Sequence, residues 1–321
     1  MRKVALLYNP DSGGRPAKRH SELESAVSIL RGAGLEAELI PTRSRDHGGE
    51  ATRTAIASGC DTVFACGGDG TIHNIAQALA NTPVALGVLP MGTANALAHD
   101  LGIPCNVPAA AKFALQCSPR QVALGRIEYR DLQGNPDSRF FVIAAGIGVD
   151  AHLFYRLHTG TKQRMGMAAY YAKAWHLWFT YAMTRFAAEY LESGSDASQT
   201  ADVTELMSIR IRNFGGVLRE LAPGASLDRD DMRLVFCRTD RRFAYLAYVT
   251  RGLLGRRWKI PGIDLAYATS VSCRYHHDQS VPTQRVYVEA DGELLGTLPA
   301  KITVVPNALR LLAPPERVGI P

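Results

Sequence analysis

Apolar and polar positions follow two different rhythms along this 321-residue chain. Up to about residue 120, short apolar runs alternate with helix-like stretches. Residues 4–8, 35–40, 62–66 and 84–89 read as strands. Residues 17–33, 48–57, 72–80 and 94–101 read as helices, the first of them closed by Gly34. Regular strand–helix alternation predicts a parallel sheet with helices on both faces. After residue 120, β-branched and apolar runs separated by turns dominate, at 122–129, 139–145, 206–212, 232–237, 265–273, 285–289 and 301–305. That pattern predicts an antiparallel β-sandwich. A helical insert is expected at about 166–191, and the small polar residues 192–200 are expected to form a loose loop. The expectation is an α/β fold in two parts. An N-terminal three-layer α/β domain with a parallel sheet covers 1–121, and a β-sandwich domain covers 122–305. The run 308–313 is free to rejoin either, which would return 306–321 to the first domain.

Chemistry enters at the strand ends, since open parallel sheets bind ligands outside the carboxyl ends of their strands. Three loops leave strands there: Asn9-Pro10-Asp11-Ser12-Gly13-Gly14, Gly67-Gly68-Asp69-Gly70-Thr71, and Pro90-Met91-Gly92-Thr93-Ala94-Asn95. Glycine lets backbone approach a phosphate closely, and N–H groups at a following helix start bind anions. Ser12, Thr71 and Thr93 each offer a further donor. One such loop is often only a tight turn, whereas three on one sheet edge point to a nucleotide. The P-loop pattern GxxxxGK[ST] is absent, and Gly146-Ile147-Gly148 lacks the third glycine of a dinucleotide fingerprint.

These motifs carry a resemblance. GGDGT after an apolar strand, NPxSG near the start and GTAN about 25 residues beyond GGDGT resemble the diacylglycerol kinase catalytic-domain family, which includes bacterial lipid kinases and sphingosine kinases. The likeness continues through AAGIGVDA at 144–151, LAPGASLD at 221–228, and DGE followed by the closing VVPNALRLLAP. GGDGT alone is shared with NAD kinases and phosphofructokinase-like proteins, but GTAN and the DGE-to-ALR tail fit the lipid branch. The resemblance implies an ATP- and Mg²⁺-dependent transfer of phosphoryl to a lipid hydroxyl, with diacylglycerol the first substrate to consider.

It also implies roles. Asn9, Pro10, Asp11, Ser12, Gly13, Thr42, Gly67, Gly68, Asp69, Gly70, Thr71, Ile72, His73, Thr93 and Asn95 would line the nucleotide site. A carboxylate in a phosphate loop repels phosphate unless a cation stands between, so Asp69 reads as metal-linked. Asp100 and Asp150 are candidates to join it. Glu293 matches the family's general base, although Asp291-Gly292 is by spacing alone a hairpin signal. His73 reads as a helix-surface residue on its own pattern. One departure stands out. Arg229 occupies, in Asp228-Arg229-Asp230-Asp231, the place of an aspartate that in the family helps hold a structural Mg²⁺. Either the ion is absent and the guanidinium replaces its charge, or neighbouring acids shift to hold it.

On the acceptor side, the aromatic insert GMAAYYAKAWHLWFTYAMTRF fits either a bilayer surface or packing on a sheet. The segment Arg251-Gly252-Leu253-Leu254-Gly255-Arg256-Arg257-Trp258-Lys259 fits anionic headgroups, or a solvated loop. No RNA-binding motif accompanies it, so nucleic acid is not an expected partner. His276-His277-Asp278 lacks a third ligand at metal spacing. Charge adds little: 36 Lys plus Arg against 30 Asp plus Glu is mildly basic. Six cysteines with no CxxC pair read as reduced, buried thiols. No apolar run reaches the roughly 18 residues of a membrane span. The expectation is a cytoplasmic protein associated peripherally with membranes, with a homodimer admitted.

Overall fold

In the computed structural model, residues 1–10, 16–42, 48–149, 183–195, 197–215, 221–254, 259–276 and 285–315 are described. Contacts divide the chain into two units. One holds Met1–Leu124, Asn213–Gly216 and Pro306–Pro321; the other holds Gly125–Arg212 and Val217–Val305.

The first unit alternates as its pattern requires: β1 (Lys3–Tyr8), α1 (Pro16–Gly32), β2 (Glu36–Pro41), α2 (Gly48–Ala57), β3 (Thr62–Gly67), α3 (Asp69–Leu79), β4 (Ala85–Pro90), α4 (Ala96–Asp100) and α5 (Val107–Ala114). α5 was not anticipated. Its Asn106 cap accepts from the Ala109 N–H at 3.0 Å, and proline follows in the first turn. The strands pair in parallel in the order β2-β1-β3-β4. Right-handed crossovers in that order put α1 on one face and α2 and α3 on the other. Accordingly α2 packs with α3 and α1 with α5. β3 and β4 are buried along their whole length, which is why they read as unbroken apolar runs. The order reverses between β1 and β3, so the loops after these two strands flank the switch point where such sheets bind ligands.

The second unit contains β6 (Pro136–Phe141), β7 (Ala144–Gly148), β8 (Phe186–Glu192), β9 (Ser198–Val203), β10 (Glu205–Ile209), β11 (Met232–Cys237), α6 (Arg242–Leu254), β12 (Ile263–Arg274) and β13 (Tyr287–Ala290). β5 (Ser118–Arg130) and β14 (Glu293–Ala313) each have residues in both units. Pairing here is antiparallel throughout β13-β7-β10-β11-β12-β8-β9. β14 pairs with β13 and again with β12, so the strands wrap around one core. Phe141, Ile147, Phe186, Leu206, Phe236 and Ile302 lie at its centre, each 0 to 1% exposed. The closing residues of β14 return to the first unit, where Arg310 and Leu311 pair in parallel with Ala85 and Leu86 of β4.

Three sequence expectations are corrected. The insert expected to be helical over 166–191 ends in a strand, β8, which buries every second residue from Phe186 to Tyr190; residues 150–182 lie outside the described residues. The loop expected at 192–200 gives way to β9, a polar edge strand hydrogen-bonded to β8. The single strand expected at 139–145 is two, because the backbone between β6 and β7 turns its N–H groups to a carboxylate.

Candidate active site

The site is built first from backbone. β3 delivers Gly67, extended Gly68 caps α3, and Asp69 opens the helix. The Thr71 N–H donates to the Gly68 carbonyl at 2.9 Å. A Cβ on Gly67 would stand 2.3 Å from Thr71 Oγ1, so only glycine leaves room for that threonine. The loop after β4 locks onto this turn. The Met91 N–H donates to the Gly67 carbonyl at 2.9 Å. A Cβ on Gly92 would lie 2.5 Å from the Gly68 Cα, and one on Gly68 would lie 3.2 Å from the Gly92 Cα. Backbone therefore touches backbone, and the second and third glycine loops form one surface beside the N-terminus of α3. Such a surface presents N–H groups and a helix's positive end to an anion.

The remaining nucleotide-site candidates fall into two groups around it. Asn9 and Pro10 follow β1, and Thr93 is exposed in the third loop. Asp11, Ser12 and Gly13 lie outside the described residues. The others hold the loops' shape. Asn95, in the left-handed region at φ 49°, accepts from the Gly92 N–H at 2.8 Å and donates to the Gly92 carbonyl at 3.0 Å. Thr42 is buried, its N–H and hydroxyl both donating to the Tyr8 carbonyl, at 2.8 and 3.2 Å. Ile72 is core. His73 is buried at 3% exposure, not on the helix surface as its sequence pattern suggested.

Of the three acidic candidates, Asp69 stands in the loop itself, at the first position of α3. Asp100 ends α4, and its Oδ1 accepts from the Asn213 N–H at 2.9 Å. Asp150 lies outside the described residues. Among the described residues no group of three or more His, Cys, Asp or Glu is placed to hold a metal. A phosphate-bound Mg²⁺ asks for less: one or two carboxylates, the rest of its shell being phosphate oxygens and water. A carboxylate at the mouth of an anion-binding loop meets that requirement.

Glu293 opens β14 directly after the turn from β13, where Ala290 pairs with Glu293. Asp291 and Gly292 both have positive φ, 49° and 80°, as a two-residue type I′ hairpin turn demands. The hairpin and the proposed base are thus one object. Sequence reasoning missed what fixes it. Asp291 is 8% exposed, and its carboxylate accepts from the N–H groups of Val142, Ile143 and Ala144 at 3.0, 2.9 and 3.1 Å. Its own N–H donates to the Ala144 carbonyl at 2.8 Å. Buried Glu289 accepts from the Gly292 N–H at 2.9 Å. The adjacent Asp in DGE carried no signal beyond turn propensity.

The Asp228–Asp231 loop does not fit a structural cation. Arg229 forms a bidentate pair with Asp231, at 2.6 and 2.7 Å. Arg210, fully buried, donates to the carbonyls of Asp231 and Arg229 at 2.6 and 3.0 Å. Arg212 bonds Ser226 and Asp228 at 2.8 and 2.9 Å. Arg229 and Arg233 both stack on Tyr267, 4.0 and 4.1 Å from the ring centre. Burial lowers the Arg210 guanidinium to about 10. Burial pushes the Asp231 carboxyl up, but the bidentate Arg229 guanidinium outweighs it and holds the group below the usual range. The oxygens a divalent ion would need already face guanidinium groups.

Elsewhere, His276 Nε2 lies 3.0 Å from Asp202, and its sequence neighbours at 277 and 278 lie outside the described residues. All six cysteines are free thiols. Cys60, Cys66, Cys237 and Cys273 are buried as expected, but Cys105 is exposed beside His99. Among the described residues no helix is long and apolar enough to cross a membrane.

Comparison with known proteins matches both units. The diacylglycerol kinase catalytic domain matches residues 3–127, and the YegS C-terminal NAD kinase beta sandwich-like domain matches 143–313. A diacylglycerol kinase of Bacillus subtilis (strain 168) is 26% identical, over 99% of this chain and 98% of that protein. One of Mycobacterium tuberculosis (strain ATCC 25618 / H37Rv) is 27% identical, over 97% and 95%. The fold agrees with a diacylglycerol kinase crystal structure from Bacillus anthracis str. Sterne, at a TM-score of 0.70 and 19% identity over 98% of this chain and 97% of that one. With the glycine loops, the DGE turn and matches that run through both units, the chain belongs to the diacylglycerol kinase catalytic-domain family and is a kinase.

Proposed function

We propose that this kinase transfers the γ-phosphoryl group of ATP to the free hydroxyl of diacylglycerol, giving phosphatidate and ADP at a bilayer surface. The observation that carries the reading is the interlocked backbone surface at Gly67–Gly68 and Gly92, a phosphate cradle at the carboxyl ends of β3 and β4. The cradle orients the phosphates, and Thr71 and Thr93 add hydroxyl donors. Asp69 would hold Mg²⁺, with Asp100 and Asp150 the further candidates; the ion would neutralise charge on the transferring group. Glu293 takes the acceptor hydroxyl's proton on its carboxylate, while the Asp291 anchor keeps the start of β14 in place. The relatives named diacylglycerol kinase support the acceptor class.

The test is phosphate transfer from labelled ATP to a panel of lipid alcohols in mixed micelles, sphingoid bases included. Diacylglycerol is expected to be the best acceptor. Glu293→Gln is expected to lower kcat on the order of 10²–10⁴-fold while ATP still binds. Full activity in that variant would remove the base. Nucleotide binding with no turnover on any lipid would replace the catalytic reading with a sensor.

A further inference from the structure

The two most exposed large apolar side chains among the described residues lie on one helix, α6: Phe243 at 79% and Leu254 at 60%. They belong to one stripe. Phe243, Leu246, Ala247, Thr250 and Leu254 follow helical spacing over three turns, and the last four fall within about 100° of one another on the helix surface. The opposite side anchors the helix. Tyr245 donates to Glu205, Tyr248 and Arg251 both donate to the Leu221 carbonyl, and the three are 6, 1 and 6% exposed. The stripe is therefore the outer face of a fixed helix.

Charge distribution says what it faces. Beside the stripe the sequence places Arg241, Arg242, Arg256, Arg257 and Lys259 against the single acid Asp240; Arg251 belongs to the anchored side, and Arg238 pairs with Asp264 at 2.8 Å. An apolar stripe bracketed by cations suits an anionic bilayer surface, with Phe and Leu below the headgroups and Arg among them. A second copy fits poorly. A stripe about 17 Å long cannot supply the roughly 800 Å² per partner of a stable interface, and it would oppose one basic flank to another.

We propose that the outer face of α6 docks this enzyme on anionic lipid, through Phe243 and Leu254 with Arg241 and Arg242 at the headgroups. The proposal rests on the reading that the acceptor lies in a bilayer. It goes beyond that reading by naming the surface and the sign of the lipid.

Sedimentation with vesicles of equimolar phosphatidylglycerol and phosphatidylcholine, against phosphatidylcholine alone, tests it with the full chain. The wild type is expected to bind the anionic vesicles and to release them in high salt. Phe243→Ser with Leu254→Ser is expected to weaken binding at least tenfold, and Arg241→Glu with Arg242→Glu at least about fivefold per position. Both double variants are expected to phosphorylate short-chain, monomeric diacylglycerol as the wild type does. Their thermal unfolding confirms folding. Wild-type vesicle binding by both folded variants would overturn the proposal, as would a dimer in sedimentation velocity that the serine pair abolishes. Failure of the wild type to phosphorylate any lipid would instead sink the acceptor assignment, and leaves vesicle binding as a separate readout.

Discussion

The loops at Gly68 and Gly92 meet with no side chain between them, whereas the turn at Asp291 and Gly292 hangs from one. In the first region position comes from subtraction: two backbones approach because neither residue has a Cβ. In the second it comes from addition: a buried carboxylate gathers three N–H groups from the segment joining β6 to β7. The two devices suit what each region is proposed to hold. A phosphate needs N–H groups within reach and nothing in the way. A carboxylate base needs a fixed starting point for its strand, and a charge-assisted network supplies it.

The contrast breaks if the anchor proves dispensable. Asp291→Ala strands N–H groups at buried Val142 and Ile143, and is expected to cost about 4 kcal/mol in chemical denaturation. Asp291→Asn keeps one acceptor and is expected to cost about half as much. If both stay within about 1 kcal/mol of wild type, Asp-Gly turn propensity alone holds the hairpin. Gly92→Ala sharpens the other side. Its methyl group forces the loops apart, and catalytic efficiency is expected to fall on the order of 100-fold, read as kcat/KM for ATP, with little change in Tm. A large Tm loss and unchanged kinetics would make the contact structural only.

The arginine-bound loop extends the additive device. Arg210→Met fills the volume but leaves the Arg229 and Asp231 carbonyls short of donors, and is expected to destabilise by about 2 kcal/mol. Wild-type Tm is expected to be the same in EDTA and in Mg²⁺, and Arg229→Asp to create a Mg²⁺-dependent rise. A wild-type Tm that drops in EDTA would show a bound ion after all. The smallest effect is on acid stability. Asp231 is depressed below its ordinary 3.8, so its contribution is complete above that value and lost as pH falls through the lower folded one. Arg229→Gln is expected to flatten that loss, measured as urea unfolding below about pH 4.

The same contrast explains what could be read beforehand. Subtraction is visible: Gly67, Gly68 and Gly92 announce close backbone approach, and the parallel unit's buried strands announce themselves as apolar runs. Addition is not, because the donors of Asp291 lie nearly 150 residues away in sequence. Arg210 likewise reads as an ordinary polar break in a strand until its carbonyl partners around residue 230 fold over it. β9 was hidden for a related reason. As an edge strand with most of its side chains in solvent, it needs no apolar alternation, and only pairing with β8 makes it a strand. β8 carries alanines and two aromatics, Phe186 and Tyr190, that serve either period, so burial against the second unit's core decided it. α6 was not legible as a helix; its end was read only for the charge of 251–259, since Tyr245, Tyr248 and Arg251 are fixed by hydrogen bonds to distant groups that no local pattern announces.

The contact between Gly68 and Gly92 also constrains how this enzyme can diversify. Most packed pairs tolerate drift because a larger residue on one side is answered by a smaller one on the other. Here both partners are already at the minimum, so no change at either position can compensate for a change at its mate. The pair offers no epistatic escape. Adaptation of the proposed nucleotide site has to proceed through residues around the contact, such as exposed Thr93, while the two glycines stay fixed.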